Sequence, residues 1–247
     1  MTTTPAWPPN SAPRLFVPGP LALGLNVTIE GAQAHYLARV MRAVAGDGVV
    51  LCDDLTGAWA ARVEHADKRA VAVRIEALLA PREAVPDFTL CAALLKKDRF
   101  DLVLEKACEL GAASIQPVLT RRCVADKLNL ERARAVLTEA AEQCARTALP
   151  QLLAPVKLAG LLTTWPAERT LFFADETGGS PAAAQFAAHT GPAALLIGPE
   201  GGFDQAERSA VRALAQARPI TLGPRILRGE TAAIAGLALW MGTHGDW

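Results

Sequence analysis

An α/β fold is predicted, with a mainly parallel sheet in the C-terminal part and a small β-rich domain before it. Three observations carry this. From about Asp87 onward, apolar runs of strand length alternate with segments of helical periodicity, the pattern of a parallel sheet covered on both faces. Before that, residues 14–80 hold short β-type segments separated by turn signals. Between the two, Pro81-Arg-Glu-Ala-Val-Pro86 has the composition of a linker.

In chain order, the proline-rich residues 1–13 are expected to be a disordered leader, since they lack the basic start and apolar core of a signal peptide. Val27–Ile29, Val49–Cys52, Ala58–Val63 and Ala70–Ile75 are expected strands. In the last, Val71, Val73 and Ile75 alternate with Ala72, Arg74 and Glu76. Ala45-Gly-Asp-Gly48 is a turn. A helix over Ala32–Arg42 places His35, Arg39 and Arg42 at helical spacing, either an RNA-facing stripe or a solvated face.

In the C-terminal domain, residues 87–247, strands are expected at Phe88–Leu95, Ser114–Leu119, Thr170–Ala174, Ala193–Ile197 and Ile220–Leu222. Helices are expected at Asp98–Leu110, Leu130–Leu149, Pro181–His189, Asp204–Ala217 and Glu230–Met241. Phe100, Val103, Leu104, Ala107 and Cys108 form the buried stripe of the first, with Gly111 just past its end. Ala133, Val136, Leu137, Ala140, Ala141, Cys144 and Ala148 form that of the second.

Composition excludes several classes. Of 247 residues 51% are hydrophobic, enough for a large core, and 25 Lys and Arg balance 25 Asp and Glu. Bulk electrostatic attraction to nucleic acid would need a more basic chain, so any such contact must come from local patches. Five scattered cysteines with no Cys-x-x-Cys pair, and four dispersed histidines, point to reduced thiols in the cytoplasm and to no metal site. The most apolar window, Thr231–Gly242, is too short to span a bilayer. A Gly-x-x-x-x-Gly-Lys-Ser/Thr loop and a Gly-x-Ser-x-Gly elbow are missing, and Lys96-Lys-Asp-Arg-Phe100 after the first strand of this domain is no dinucleotide turn.

The candidate site is a pair of loops. Leu195-Leu-Ile-Gly-Pro-Glu-Gly-Gly-Phe203 is a strand end and glycine loop, followed by Asp204 as N-cap with Glu207 at capping-box spacing. Ile220-Thr-Leu-Gly-Pro-Arg-Ile-Leu-Arg-Gly-Glu-Thr-Ala-Ala233 repeats the grammar. Two Gly-Pro loops leaving two adjacent strands would let main-chain amides close on a ligand. Alternatively, Gly-Pro merely punctuates αβ turns.

Taken together, Leu196-Ile-Gly-Pro-Glu-Gly-Gly202 and Leu222-Gly-Pro-Arg-Ile-Leu-Arg-x-Glu-Thr-Ala232 resemble the 16S rRNA (uracil-N3)-methyltransferase family of the SPOUT superfamily. So do Arg14-Leu-Phe16, His35-Tyr-Leu-Ala-Arg-Val-Met-Arg42 with Gly46-Asp47, Lys106-Ala-Cys-Glu-Leu-Gly111, Arg121-Arg-Cys123, and Ala141-Glu-Gln-Cys144 with Arg146. Two departures stand out. Gly229 occupies a position where the family usually has Thr, and Asp175-Glu176 matches the corresponding acidic or His-containing loop only loosely.

The resemblance implies a PUA-like or OB-like barrel over residues 14–80, a C-terminal trefoil knot, a homodimer, and S-adenosylmethionine as cofactor without metal or membrane. The implied substrate is a uridine of 16S rRNA in the small ribosomal subunit. Ile197, Gly198, Glu200, Gly201, Leu222, Gly223, Leu227 and Thr231 would hold the cofactor. Arg14, His35, Arg39, Arg42, Arg121, Arg122 and Arg146 would touch RNA. Uracil N3 carries a proton and must lose it to attack, so Glu230 and Glu200 are carboxylate candidates, with Arg225 and Arg228 as cations for the anionic ring. An RNA-binding assembly factor without turnover, and a SPOUT enzyme acting on another RNA, are the alternatives.

Overall fold

A computed structural model describes residues 7–245, which divide into two compact units. The first takes the residues up to 84 together with 141–149; the second takes 85–140 and everything from 150.

The first unit is a five-stranded sheet built from β1 (Arg14–Phe16), β2 (Asn26–Glu30), β3 (Gly48–Cys52), β4 (Gly57–Ala66) and β5 (Ala70–Pro81). The order is β1-β3-β4-β5-β2, antiparallel except for β1 against β3. The alternation read from β5 is the buried face: Val71, Val73 and Ile75 join Leu15, Ile29, Leu37, Val49, Leu51 and Val63 in one core. A short helix α1 (Gly31–His35) covers it and continues as a π-helical turn, Tyr36–Val40. Arg42 then takes a left-handed backbone, φ 56°, and ends the element. Of the expected leader, residues 1–6 lie outside the described residues. Trp7 lies under the Arg62 guanidinium, 3.8 Å from ring centroid to Cζ, and the Pro13 carbonyl accepts from Val50.

Asp53 fixes the turn between β3 and β4. Its carboxylate accepts from the amides of Leu21, Leu55, Thr56 and Gly57 and from the Thr56 hydroxyl. Burial pushes its pKa up, but these donors outweigh that and bring it down to about 2.

In the second unit all strand pairs are parallel. The strands are β6 (Phe88–Ala93), β7 (Ser114–Leu119), β8 (Gln151–Leu152), β9 (Val156–Lys157), β10 (Thr170–Ala174), β11 (Ser180–Pro181), β12 (Ala193–Ile197) and β13 (Ala217–Thr221). Their order is β11-β13-β10-β12-β6-β7-β8, with β9 also paired to β7. The helices are α2 (Lys97–Glu109), α3 (Leu130–Cys144), α4 (Leu158–Thr163), α5 (Ala182–Ala187), α6 (Gln205–Ala213) and α7 (Gly229–His244). Leu171, Phe173, Ala194 and Leu196 pack with Leu158 of α4 and Val211 of α6. On the opposite face Trp240 of α7 stacks on Phe88, ring centroids 4.4 Å apart, beside Phe172 and Phe186. Gly236 brings α7 close to β12, where a Cβ would run into Leu195.

The stripe expected on α2 is the buried one, and Gly111 follows it at φ 89°. The helix expected over Leu130–Leu149 stops at Cys144, with Ala145 left-handed at φ 63°. Two carboxylates of the first unit take the amides a longer helix would use: Glu83 accepts from Thr147 and Ala148, and Asp54 from Leu149. Cys144, expected on the buried stripe, is therefore exposed. The segment expected as helix to Ala217 ends at Ala213, and residues 217–221 form a strand against β10. The short β8, β9, α4 and β11 are too brief to show periodicity and were not expected.

Candidate functional site

A cleft opens at the carboxyl ends of β10, β12 and β13, the position where open parallel sheets bind ligands. The two Gly-Pro loops form much of its wall, but their strands are not neighbours. β10 stands between β12 and β13 and adds its own end residues, Ala174, Asp175 and Glu176, to the lining. Strand order is set by crossovers, which local sequence does not display.

Ile197, Phe203, Ile220, Leu222 and Leu227 give the cleft apolar surface, and Gly198, Gly202, Gly223 and Gly229 bring main chain to it. The glycines are sterically required. A Cβ on Gly198 would lie 2.7 Å from the Phe203 ring, and Gly202 is at φ 66° with its amide donating to Pro199. Gly223, at φ 117°, faces open space. The amides of Ile226 and Leu227 have no partner among the described residues, so two main-chain donors are available to a ligand. Apolar walls, close-approach glycines and unpaired amides together suit a nucleoside, and the residues present fit S-adenosylmethionine.

The helix after the first loop starts as read from sequence. Asp204 accepts from the Glu207 amide at 2.7 Å, and Glu207 accepts from the Asp204 amide at 3.2 Å, a complete capping box on α6. Helix α7 starts differently. Its N-cap is Arg228, with Gly229 as first helical residue, so the Gly229 departure removes no capping hydroxyl. A Cβ on Gly229 would sit 3.0 Å from the Leu95 side chain and 3.2 Å from the Gly198 carbonyl.

The charged candidates separate into two groups. Arg225 lines the cleft and is exposed. Glu230, on the first turn of α7, and Glu200 instead flank Arg99 of α2, with carboxylate oxygens 3.7 and 3.8 Å from its Nη1. Glu230 is only 9% exposed, and its Oε2 is buried without a hydrogen-bond partner among the described residues. Sequence reasoning missed Arg99. It lies in Lys96-Lys-Asp-Arg-Phe100, read there only as a poor dinucleotide turn. Glu200, Gly201, Arg228, Glu230 and Thr231 are not in the cleft lining, whereas Ile197, Gly198, Leu222, Gly223 and Leu227 are.

Behind the β10 end, Asp175 has a fully buried side chain. It accepts from Arg212 at 2.7 Å and from the Thr177 amide and hydroxyl, and lies 3.3 Å from Arg208 Nε. Burial raises its pKa, but the Thr177 amide, Arg212 and the Thr177 hydroxyl prevail and hold it below the ordinary aspartate value. Glu176, one residue on, takes a 2.6 Å bond from Arg208.

The residues expected to touch RNA differ in availability. His35, Arg39 and Arg42 are all exposed on the first unit, spread over α1, the π-turn and the left-handed Arg42. Arg14 donates to Cys52 Sγ at 3.4 Å. In the second unit Arg121 is paired with Asp204, and Arg122 donates to the Gly201 carbonyl at 3.0 Å. Arg146 is 6% exposed and bonds Glu83 at 3.2 Å inside the first unit. Among the described residues no group of three or more His, Cys, Asp or Glu is placed to hold a metal, and no helix is long and apolar enough to cross a membrane.

Comparison with known proteins gives a consistent family. A model described as RNA methyltransferase domain matches residues 82–241, and one described as RNA methyltransferase PUA domain matches residues 29–76. Over 232 residues the chain is 34% identical to the ribosomal RNA small subunit methyltransferase E of Synechocystis, covering 91% of this chain and 76% of that one. It is 27% identical over 229 residues to the protein of the same name from Rickettsia conorii, covering 91% and 93%. A solved ribosomal RNA small subunit methyltransferase E from Neisseria gonorrhoeae, bound to S-adenosylmethionine, matches with a TM-score of 0.84 at 27% identity, covering 94% of this chain and 97% of that one.

Proposed function

The chain belongs to the family of ribosomal RNA small subunit methyltransferases E, and from that premise we propose that it transfers a methyl group from S-adenosylmethionine to N3 of a uridine in 16S rRNA. The observation that carries the reading is the cleft at the ends of β10, β12 and β13, where both Gly-Pro loops present glycine backbone and the second adds two unpaired amides.

Bound there, the cofactor would supply an electrophilic methyl on a sulfonium. The chain's work is then alignment and handling of one proton. Leu222 and Leu227 would lie against the adenine, with Ile226 and Leu227 amides donating to its polar edge. Arg225, exposed on the cleft wall, would donate to the uracil carbonyls and favour the N3 anion, with Arg228 adding positive potential. Glu230 and Glu200, held about Arg99, are the acceptors for the N3 proton. N3 lies on the pairing edge, so the base must enter unpaired or flipped out.

His35, Arg39 and Arg42 would contact rRNA from the first unit, with Arg14, Arg121 and Arg122 as further contacts. The enzyme would act as a homodimer, with the knot that the family implies. The exposed side chains of Leu102 on α2 and Leu239 on α7 support a covered face there. Five free cysteines accord with a cytoplasmic place of work, where the ribosome is assembled. Mass spectrometry of rRNA nucleosides tests the assignment. A strain without the gene should lack one 3-methyluridine, restored by the gene; an unchanged nucleoside profile would refute it.

A further inference from the structure

We propose that Glu176 is the ribose-binding carboxylate of the cleft, its free oxygen accepting from the 2′- and 3′-hydroxyls of the cofactor. This rests on reading the cleft as the S-adenosylmethionine site.

Glu176 stands just past the carboxyl end of β10 and lines the cleft together with the two Gly-Pro loops. Oε1 is occupied by Arg208 at 2.6 Å, whereas Oε2 has no partner among the described residues. A carboxylate oxygen only accepts, and its lone pairs can take the two hydroxyl donors of a vicinal diol. The carboxylate rests on the glycine loop: a Cβ at Gly202 would lie 2.7 Å from Oε1 and 2.8 Å from Oε2. Glycine at 202 is favoured by its own φ of 66°, and it leaves the Glu176 carboxylate its present place on the loop.

Its position is set by a chain of ion pairs that ends on a buried carboxylate. Arg208, which holds Oε1, is itself held by Asp175, and Asp175 is anchored by Arg212 and by the Thr177 amide and hydroxyl. Together these contacts hold one carboxylate oxygen of Glu176 and leave the other free. The charges also choose the ligand group. Asp175 and Glu176 are balanced by Arg208 and Arg212. A neutral cluster with a spare acceptor matches neutral hydroxyl donors better than the ammonium of the methionine part.

Isothermal calorimetry on the full chain tests this with three probes: S-adenosylmethionine, 5′-methylthioadenosine, which keeps the diol but lacks the ammonium, and 5′-methylthio-2′,3′-dideoxyadenosine. Glu176→Ala should weaken the first two by a similar factor, roughly tenfold to a hundredfold, and leave the dideoxy compound unchanged. Glu176→Gln keeps the side-chain size and should shift the same two probes in the same direction. Unaltered binding of the dideoxy compound shows that the variants are folded. Loss confined to S-adenosylmethionine would reassign Glu176 to the ammonium, and equal weakening of all three probes would make it structural; either overturns the proposal. Wild-type protein that binds none of the probes would remove the cofactor reading itself.

Discussion

Arg225 and Glu230 were both legible as charged residues of a glycine-rich loop and helix start, but they meet different surroundings. Arg225 is on the cleft wall, while Glu230 is buried beside Arg99 with one oxygen unpartnered. Both should act on the transition state more than on cofactor binding. Arg225→Ala and Glu230→Gln are each expected to lower the single-turnover methylation rate by roughly a hundredfold, the scale of lost acid–base or oxyanion-type groups. Cofactor affinity by calorimetry should stay near wild type. Near-wild-type rates at saturating cofactor and subunit would make both residues structural. Arg99 was not legible, because its link to Glu200 and Glu230 is made by tertiary folding and no local pattern marks it. A second residue-scale expectation concerns Asp53. Its folded pKa of about 2 lies below the ordinary aspartate value of 3.8, so its stabilisation is full above that value and is lost as pH falls toward 2. The contribution at neutral pH is about 2 kcal/mol. Urea unfolding from pH 5 to pH 2 should show the wild type losing about 2 kcal/mol more stability than Asp53→Ala, which starts from a reduced value.

At the scale of elements, strands with uniform apolar runs were the most readable. Ala193–Ile197 and Thr170–Ala174 have the bounds that the sequence suggests. The capping box on α6 was readable too, since both its partners lie within one turn. Helix ends decided by distant groups were not. Asp54 and Glu83 claim the amides of residues 147–149 and stop α3 early. The glycine loop shows the same division. Close backbone approach was expected of Gly201, but Gly201 faces Arg122, with a Cβ there 3.2 Å from the Arg122 Cβ, and the cleft is lined by Gly202. Gly202→Val would combine a left-handed backbone with a collision against Glu176. It is expected to reduce S-adenosylmethionine binding below detection by calorimetry while the circular dichroism spectrum stays near wild type. Wild-type affinity in that variant would show that the loop does not approach the ligand.

For the whole molecule, sequence reading takes domains as consecutive stretches, whereas residues 141–149 join the unit built by residues up to 84. The contacts that Glu83 and Asp54 make with residues 146–149 have no signature in composition. Charge balance, by contrast, is read directly. With 25 basic and 25 acidic residues, long-range attraction to free RNA should be weak, and recognition should depend on a shaped surface. Assembled small subunits should therefore be methylated far faster than naked 16S rRNA at physiological salt. Equal rates with labelled methyl donor would count against recognition by shape.

The central claim is that the cleft at the ends of β10, β12 and β13 carries methyl transfer to a pairing-edge nitrogen of rRNA. The most direct measurement incubates the purified full chain with S-adenosylmethionine and small subunits that lack the modification, then maps the product by nuclease digestion and mass spectrometry. The account predicts one methyl group per subunit, on N3 of a single uridine, and none with Arg225→Ala over the same time. Methyl on a ribose hydroxyl or another base, or none incorporated by the wild-type protein, would contradict it.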